Sequence, residues 1–195
     1  MLSVILPVKD EPYLPTLLHI FPLILTDYEV KIQTEKGLGY AITQGIKNAK
    51  GNVIVICDAD GSHDVLAIPR MVSLIGKYDL VIGSRYAGGK TEDSFSRQLV
   101  SRFFCLIAQI LFNLKIKDSM GGFIVAKKEV FQKYPIETEG FKILLELLVK
   151  SRGNLKVAEY PIAFRRRKMG RSKASPWEAL RTLRLMLKLK VSFKS

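Results

Sequence analysis

The chain has 195 residues, 48% of them hydrophobic and 25% charged, which excludes a disordered polar chain and suits one folded unit with a sizeable core. Its formal net charge is +13, of which +10 falls from Arg165 onward, so the body is nearly balanced and the tail suits an anionic surface. Cys57 and Cys105 both sit in apolar runs and are expected to be small buried hydrophobes, not a disulfide or a metal set.

Leu2 to Val8 predicts a first strand, stopped by Pro7 before Lys9-Asp10-Glu11. Tyr13 to Leu25 is apolar but holds Pro15 and Pro22, which predicts a short or broken helix. Tyr28 to Gln33 reads as a second strand. Gly37 and Gly39 then permit a tight turn into a helix with Ala41, Ile42, Ile46 and Ala49 facing the core and Gly51 as its C′ residue. Val53 to Cys57 is an unbroken apolar run, the pattern of a strand buried on both faces, and it leads into Asp58-Ala59-Asp60. Ile68 to Lys77 predicts a short helix, and Asp79 to Gly83 another buried strand ending in Ser84-Arg85-Tyr86. Gly88 to Ser96 reads as a movable loop before a helix that carries Arg97, Ser101 and Arg102 in its first turns.

No stretch reaches the roughly 18 to 20 uncharged apolar residues that span a bilayer, and Phe103 to Leu114, with Gln109 and Asn113, is expected to be a buried or interfacial helix. With no basic, apolar, cleavable leader, the body is expected to be cytoplasmic. A loop at Asp118 to Phe123 precedes a short strand, Ile124 to Ala126, and a helix, Phe141 to Lys150, that includes Lys142 and Glu146. Val157 to Phe164 predicts the last strand, followed by the basic run Arg165 to Lys173. From Pro176 a helix is expected, with Leu180, Leu183, Leu187 and Val191 as its apolar stripe and Arg181, Arg184, Lys188 and Ser192 as the other; Lys190 falls on the apolar side. Alternating strands and helices predict an α/β fold with a mostly parallel sheet flanked by helices, whose ligands bind at the strands' carboxyl edge.

At that edge the chemistry concentrates. Side chains alternate along a strand, so Asp58 and Asp60 are expected on one side, where two acids repel unless a cation compensates them. Mg²⁺ or Mn²⁺ suits carboxylate oxygens and shares its other sites with water and phosphate. The bland reading is that one Asp caps the next turn and the other is solvated. Asp10 and Glu11 stand at the same edge, either meeting a nucleotide or serving as ordinary loop acids. Arg85, Arg97 and Arg102 suit phosphate, which a guanidinium grips as a fork.

The ordered motifs SVILPVKDE, GLGYAITQGIKNAKG, DADGSHD, DLVIGSRYAGG, SRQLVSR, KDSMGGF, GFKILLELL and FRRRKMGRSK resemble those of the inverting GT-A glycosyltransferases of the dolichol-phosphate (polyprenyl-phosphate) mannose synthase group, from residue 2 to about 173. The resemblance implies a GT-A, Rossmann-like domain over residues 1–175; residues 176–195 read from their own pattern as a basic amphipathic helix, either at a membrane surface or packed against the body with a solvated basic face. By position it makes Asp58 and Asp60 the metal and diphosphate centre, with Ser62 beside the metal, and Asp10 and Glu11 the nucleotide-contacting acids. It likewise makes Arg85, Arg97 and Ser101 the groups that hold the acceptor phosphate, and Arg167 and Lys173 part of a basic loop over the donor's phosphates. The Asp-Asp-x-Ser end of the relatives' second strand is missing here, and with it the usual acid that contacts base and ribose.

The expected reaction is metal-dependent transfer of a sugar, mannose first, from GDP-mannose or a UDP-sugar to dolichyl or polyprenyl phosphate, with the protein peripheral on the cytoplasmic face of an anionic membrane. A phosphate monoester has a second pKa of ~6 and is already nucleophilic at neutral pH. A sugar hydroxyl would instead need a general base, for which Asp118 and Glu139 are the candidates. Two rivals remain: a nucleic-acid binder using the basic tail, which lacks a reading motif, and a nucleotidyltransferase, which lacks a Gly- and Lys-rich loop after the first strand.

Overall fold

The computed structural model describes residues 1–34, 37–138, 140, 142–166 and 176–194. Five strands run the same way: β1 (Leu2–Pro7), β2 (Tyr28–Gln33), β3 (Val53–Ile56), β4 (Leu80–Ser84) and β7 (Val157–Pro161). A sixth, β6 (Ile124–Lys127), runs antiparallel between β3 and β4, giving the order β2-β1-β3-β6-β4-β7. The mostly parallel α/β sheet expected from the sequence is thus present, with one reversed strand at its centre. That reversal matters for function: the start of β6, with Gly121, Gly122 and Phe123 before it, lies at the edge where β1, β3 and β4 end.

Alternation along the strands feeds two cores. Val4, Leu6, Val55, Val81 and Val125 face one side, under α1 (Leu14–Ile24) and α3 (Ile68–Ser73), which contribute Leu17, Phe21, Ile68 and Met71. Ile5, Ile54, Ile56, Ile82 and Ile124 face the other, under α2 (Leu38–Lys47), α5 (Lys128–Lys133) and α6 (Ile143–Ser151). Each such fully buried side chain contributes about 1.5–3 kcal/mol of transfer free energy. Outside α6 lies a third cluster, in which α4 (Phe95–Phe112) supplies Cys105, Ala108 and Phe112 and α7 (Pro176–Lys194) supplies Met186 and Leu189. Both cysteines are free and buried, as expected.

Several local expectations are corrected. The first helix is continuous: Pro15 sits in its first turn, where no N–H bond is needed, and Pro22 in its last. Gly51 caps nothing, because α2 already ends at Lys47. It is there for close approach, since an added Cβ would lie 2.7 Å from the Met1 carbonyl oxygen, and its N–H donates to Ser3 Oγ at 2.9 Å. The stretch read as a movable loop contains β5 (Lys90–Thr91), paired with β8 (Ala163–Phe164), so the expected single last strand is two, in two sheets. The short α5 was not foreseen.

The last helix is present, but a different face is buried. Thr182, Met186 and Leu189 pack inward, while Leu187 is 67% and Val191 71% exposed. Leu180 and Leu183, also assigned to the apolar stripe, are exposed as well. Lys190, the misfit of that stripe, donates to the Leu111 carbonyl at 2.6 Å and lies over the Phe112 ring. Among the described residues one helix, α4, is long and apolar enough by length and composition to cross a membrane. It keeps one side against the body and exposes Phe95, Leu99, Phe103, Leu106 and Ile110 on the other.

Candidate active site

The sheet's carboxyl edge opens on a cavity of about 290 Å³ lined by Asp58 after β3, Arg85 just after β4, Gly121 and Gly122 before β6, and Lys142 before α6. β3 ends at Ile56, two residues before Asp58, so strand alternation does not govern the acidic pair as expected. The two acids occupy different surroundings. Asp58 is 42% exposed at the cavity, whereas Asp60 is buried and its Oδ1 accepts from both the N–H and the hydroxyl of Ser62, at 2.9 and 2.6 Å. Gly61 makes this turn possible: its φ is +76°, and an added Cβ would meet the Tyr13 ring at 2.7 Å.

His63, to which the sequence assigned no role, organises the turn. Its ring is buried, stacks on Phe123 at 5.0 Å and meets Phe164 edge-on at 5.6 Å. Nδ1 accepts the Asp58 N–H at 2.9 Å, so in the neutral ring the proton is on Nε2, which stands 3.8 Å from Asp58 Oδ2. The backbone at the strand end is thereby held by this side chain, with the carboxylate close by.

Across the cavity, Arg85 is gripped by Asp118, which is fully buried. Asp118 Oδ2 accepts from the Arg85 backbone N–H and Nε, at 2.9 and 2.8 Å, and Oδ1 from Nη2 at 2.7 Å. Burial works against the guanidinium's charge, but the Asp118 bonds outweigh it and hold the group above even its ordinary range. Arg85 Nη2 also donates to Ser101 Oγ at 3.1 Å, and Asp93 lies 3.9 Å from Arg85 and 3.8 Å from Arg97. Arg85, Arg97 and Ser101 are therefore brought together, but of the three only Arg85 lines the cavity, and Asp60 and Ser62 are not among its lining either. The guanidiniums of Arg85 and Arg102 both lie over the Tyr86 ring, at 4.9 and 5.1 Å from its centre. Glu159 accepts from Ser84 Oγ and from the Lys117 and Asp118 N–H groups, tying the Asp118 loop to the end of β4. A lone acid in the apolar run of β7 was the available signal for that tie.

Asp10 and Glu11 follow β1 at the same edge; Asp10 has φ +53° and is exposed, and Glu11 is half-buried. Neither lines the cavity. Arg167, Lys173 and Glu139 lie outside the described residues. The basic run nevertheless starts beside the acidic turn, because the Arg165 N–H donates to the Ser62 carbonyl at 2.9 Å.

Among the described residues no three His, Cys, Asp or Glu side chains cluster as a metal cage. Oxygen donors from one or two carboxylates still fit the mode of Mg²⁺ or Mn²⁺ completed by water and substrate phosphate. The hydrogen-bonded Ser62 would fix the orientation of Asp60.

The glycosyl transferase family 2 model matches residues 23–135, over half of the chain. The chain belongs to glycosyl transferase family 2. Within this family it is 40% identical over 154 residues to the dolichol-phosphate mannosyltransferase of Pyrococcus furiosus, a match covering 75% of this chain and 44% of that protein. It is 31% identical over 151 residues to the undecaprenyl-phosphate mannosyltransferase of Micrococcus luteus, covering 73% and 62%. The chain thus spans about half the length of the relatives it matches. Glucosyl-3-phosphoglycerate synthase from Mycobacterium tuberculosis, solved with Mn²⁺, UDP and glucosyl-3-phosphoglycerate, superposes with a TM-score of 0.70 at 15% identity over 99% of this chain and 79% of that one. The same enzyme has been solved with Mg²⁺ and UDP. The superposition shows that this family 2 chain has the expected GT-A, Rossmann-like fold.

Proposed function

We propose that this chain carries the catalytic domain of a polyprenyl-phosphate glycosyltransferase, moving a sugar, mannose first, from GDP-mannose or a UDP-sugar to dolichyl or polyprenyl phosphate with inversion. One observation carries the reading: Asp58 and an Asp118-anchored Arg85 face a single cavity at the rim of the sheet. The names of the dolichol- and undecaprenyl-phosphate relatives support it.

In this reading Arg85, with Ser101 and Arg97 behind it, holds the acceptor phosphate, which is largely dianionic at neutral pH and needs no general base. A phosphate oxygen bonds to the sugar's anomeric carbon from the face opposite the leaving group. The bond from that carbon to the nucleoside diphosphate breaks, and its electron pair leaves on the diphosphate. Bound Mg²⁺ or Mn²⁺ would supply stabilisation of that charge, Asp58, Asp60 and Ser62 would hold it through oxygen, and Arg167 and Lys173 are assigned to the donor's phosphates. Asp10 and Glu11 are assigned to the nucleotide. Of the two candidate bases for a sugar-hydroxyl acceptor, Asp118 is disfavoured, since both of its oxygens are bonded to Arg85. An anionic membrane, met at its cytoplasmic face through the outer side of α4 and the basic C-terminal helix, would present the lipid.

The test is metal-dependent transfer of label from GDP-mannose, UDP-glucose or UDP-N-acetylglucosamine to polyprenyl phosphate, followed by organic extraction. Lipid-soluble label that disappears with EDTA is expected. Absence of such label with all three donors removes the proposal.

A further inference from the structure

Lys142 lines the same cavity as Asp58 and Arg85, and the mechanism above does not use it. It is the residue immediately before α6, half-buried, and among the described residues its ammonium makes one hydrogen bond, to the Met120 carbonyl at a long 3.4 Å. Taking a cation out of water is costly unless it is paired, and one stretched bond to a neutral carbonyl is poor compensation. Lys142 stands just before α6, at the edge where Arg85 already brings positive charge. Burial, followed by the nearby Arg85, pulls the ammonium below the ordinary lysine range. Two cations that share one cavity and oppose each other's charge both gain from an anion placed there, and the chain's own Asp118 is committed to Arg85. Of the cavity's remaining lining acids, Asp58 is the proposed metal ligand, and Glu178 accepts from Arg181 at 2.7 Å while its charge, like that of Asp118, only partly offsets the cost at Lys142.

We propose that Lys142 is a phosphate-binding residue of this cavity, contributing the point charge that complements the fork of Arg85. The inference rests on the glycosyltransferase reading for the source of the phosphate, which is either the donor's diphosphate or the acceptor's monoester.

The experiment compares wild type with Lys142→Met, Lys142→Gln and Lys142→Arg by titration calorimetry, using GDP or UDP with Mn²⁺ as one probe and farnesyl phosphate as the other, alongside thermal unfolding. The Met and Gln variants are expected to keep the wild-type melting temperature or exceed it, and to bind one probe roughly 10- to 100-fold more weakly, the range of a charged hydrogen bond. The Arg variant should recover most of the loss. Weakening confined to the nucleotide assigns Lys142 to the donor, and weakening confined to farnesyl phosphate assigns it to the acceptor. Wild-type affinity for both probes in the Met and Gln variants overturns the inference, as does loss of folding in both while the Arg variant stays folded, because Lys142 would then be structural. If wild type produces no lipid-linked sugar but Lys142→Met still weakens binding of a probe, the proposed function fails and the phosphate site stands. If wild type binds neither probe, both fail.

Discussion

Arg85 reaches the cavity as a working cation because Asp118 sits behind it, fully buried and bonded through both oxygens. Removing one member of a buried pair leaves the other uncompensated, so Asp118→Ala is expected to destabilise the fold by about 3–5 kcal/mol in urea denaturation. A loss below about 1 kcal/mol would show that Arg85 finds water or another partner. Glu29 illustrates a second anchored carboxylate, holding Ser3 of β1, the Lys50 N–H and the Lys31 ammonium. Burial raises its pKa, but these bonds together bring it down to about 2. A depressed carboxylate stabilises the fold above its unfolded pKa of roughly 4.3, and that contribution fades as the pH falls toward 2. Glu29→Gln should therefore be less stable than wild type at pH 7, with the gap closing between about pH 5 and 2 in denaturation curves; a gap independent of pH contradicts this. Residue types at the strand ends were legible as chemistry. The pairing of Asp118 with Arg85 was not, because 33 positions separate them and nothing local marks an acid as a counter-ion instead of a base.

For whole elements, the helices other than the short α5 were read better in position than in orientation. In α7 the regular Leu spacing suggested a stripe at Leu180, Leu183, Leu187 and Val191, yet the buried side runs through Thr182, Met186 and Leu189. A helix carrying apolar residues on more than one side can settle on either, and the shape offered by Cys105 and Ala108 of α4 and Leu145 and Val149 of α6 decides. Met186→Ala should thus cost about 2–5 kcal/mol and Leu187→Ala less than about 0.5 kcal/mol in urea unfolding. The reverse order would mean that α7 docks through the face the periodicity first suggested. The consequence for function is that the Leu187 side of α7, which also carries Arg184 and Lys188, and the outer side of α4 both leave large apolar groups uncovered.

At the scale of the molecule, an apolar outer surface combined with a net charge of +13 predicts salt-sensitive attachment to anionic vesicles. Sedimentation with phosphatidylserine-containing vesicles should fall sharply between roughly 0.1 and 1 M salt, as the screening length shrinks from about 10 to 3 Å, and should be weak on neutral vesicles at any salt. Binding indifferent to both variables would separate this chain from the membrane role proposed for it. By itself the sequence determined the six strands of the main sheet, their order along the chain, the α/β class and the acids and arginines at the strand ends, since a buried strand and a charged terminus are written in consecutive residues. Only the tertiary structure decided that β6 runs backward through the sheet, that Asp118 supports Arg85, that α7 buries Met186 and that Lys142 shares a cavity with Asp58. Each of those depends on contacts between distant segments competing for the same space, which no local pattern encodes.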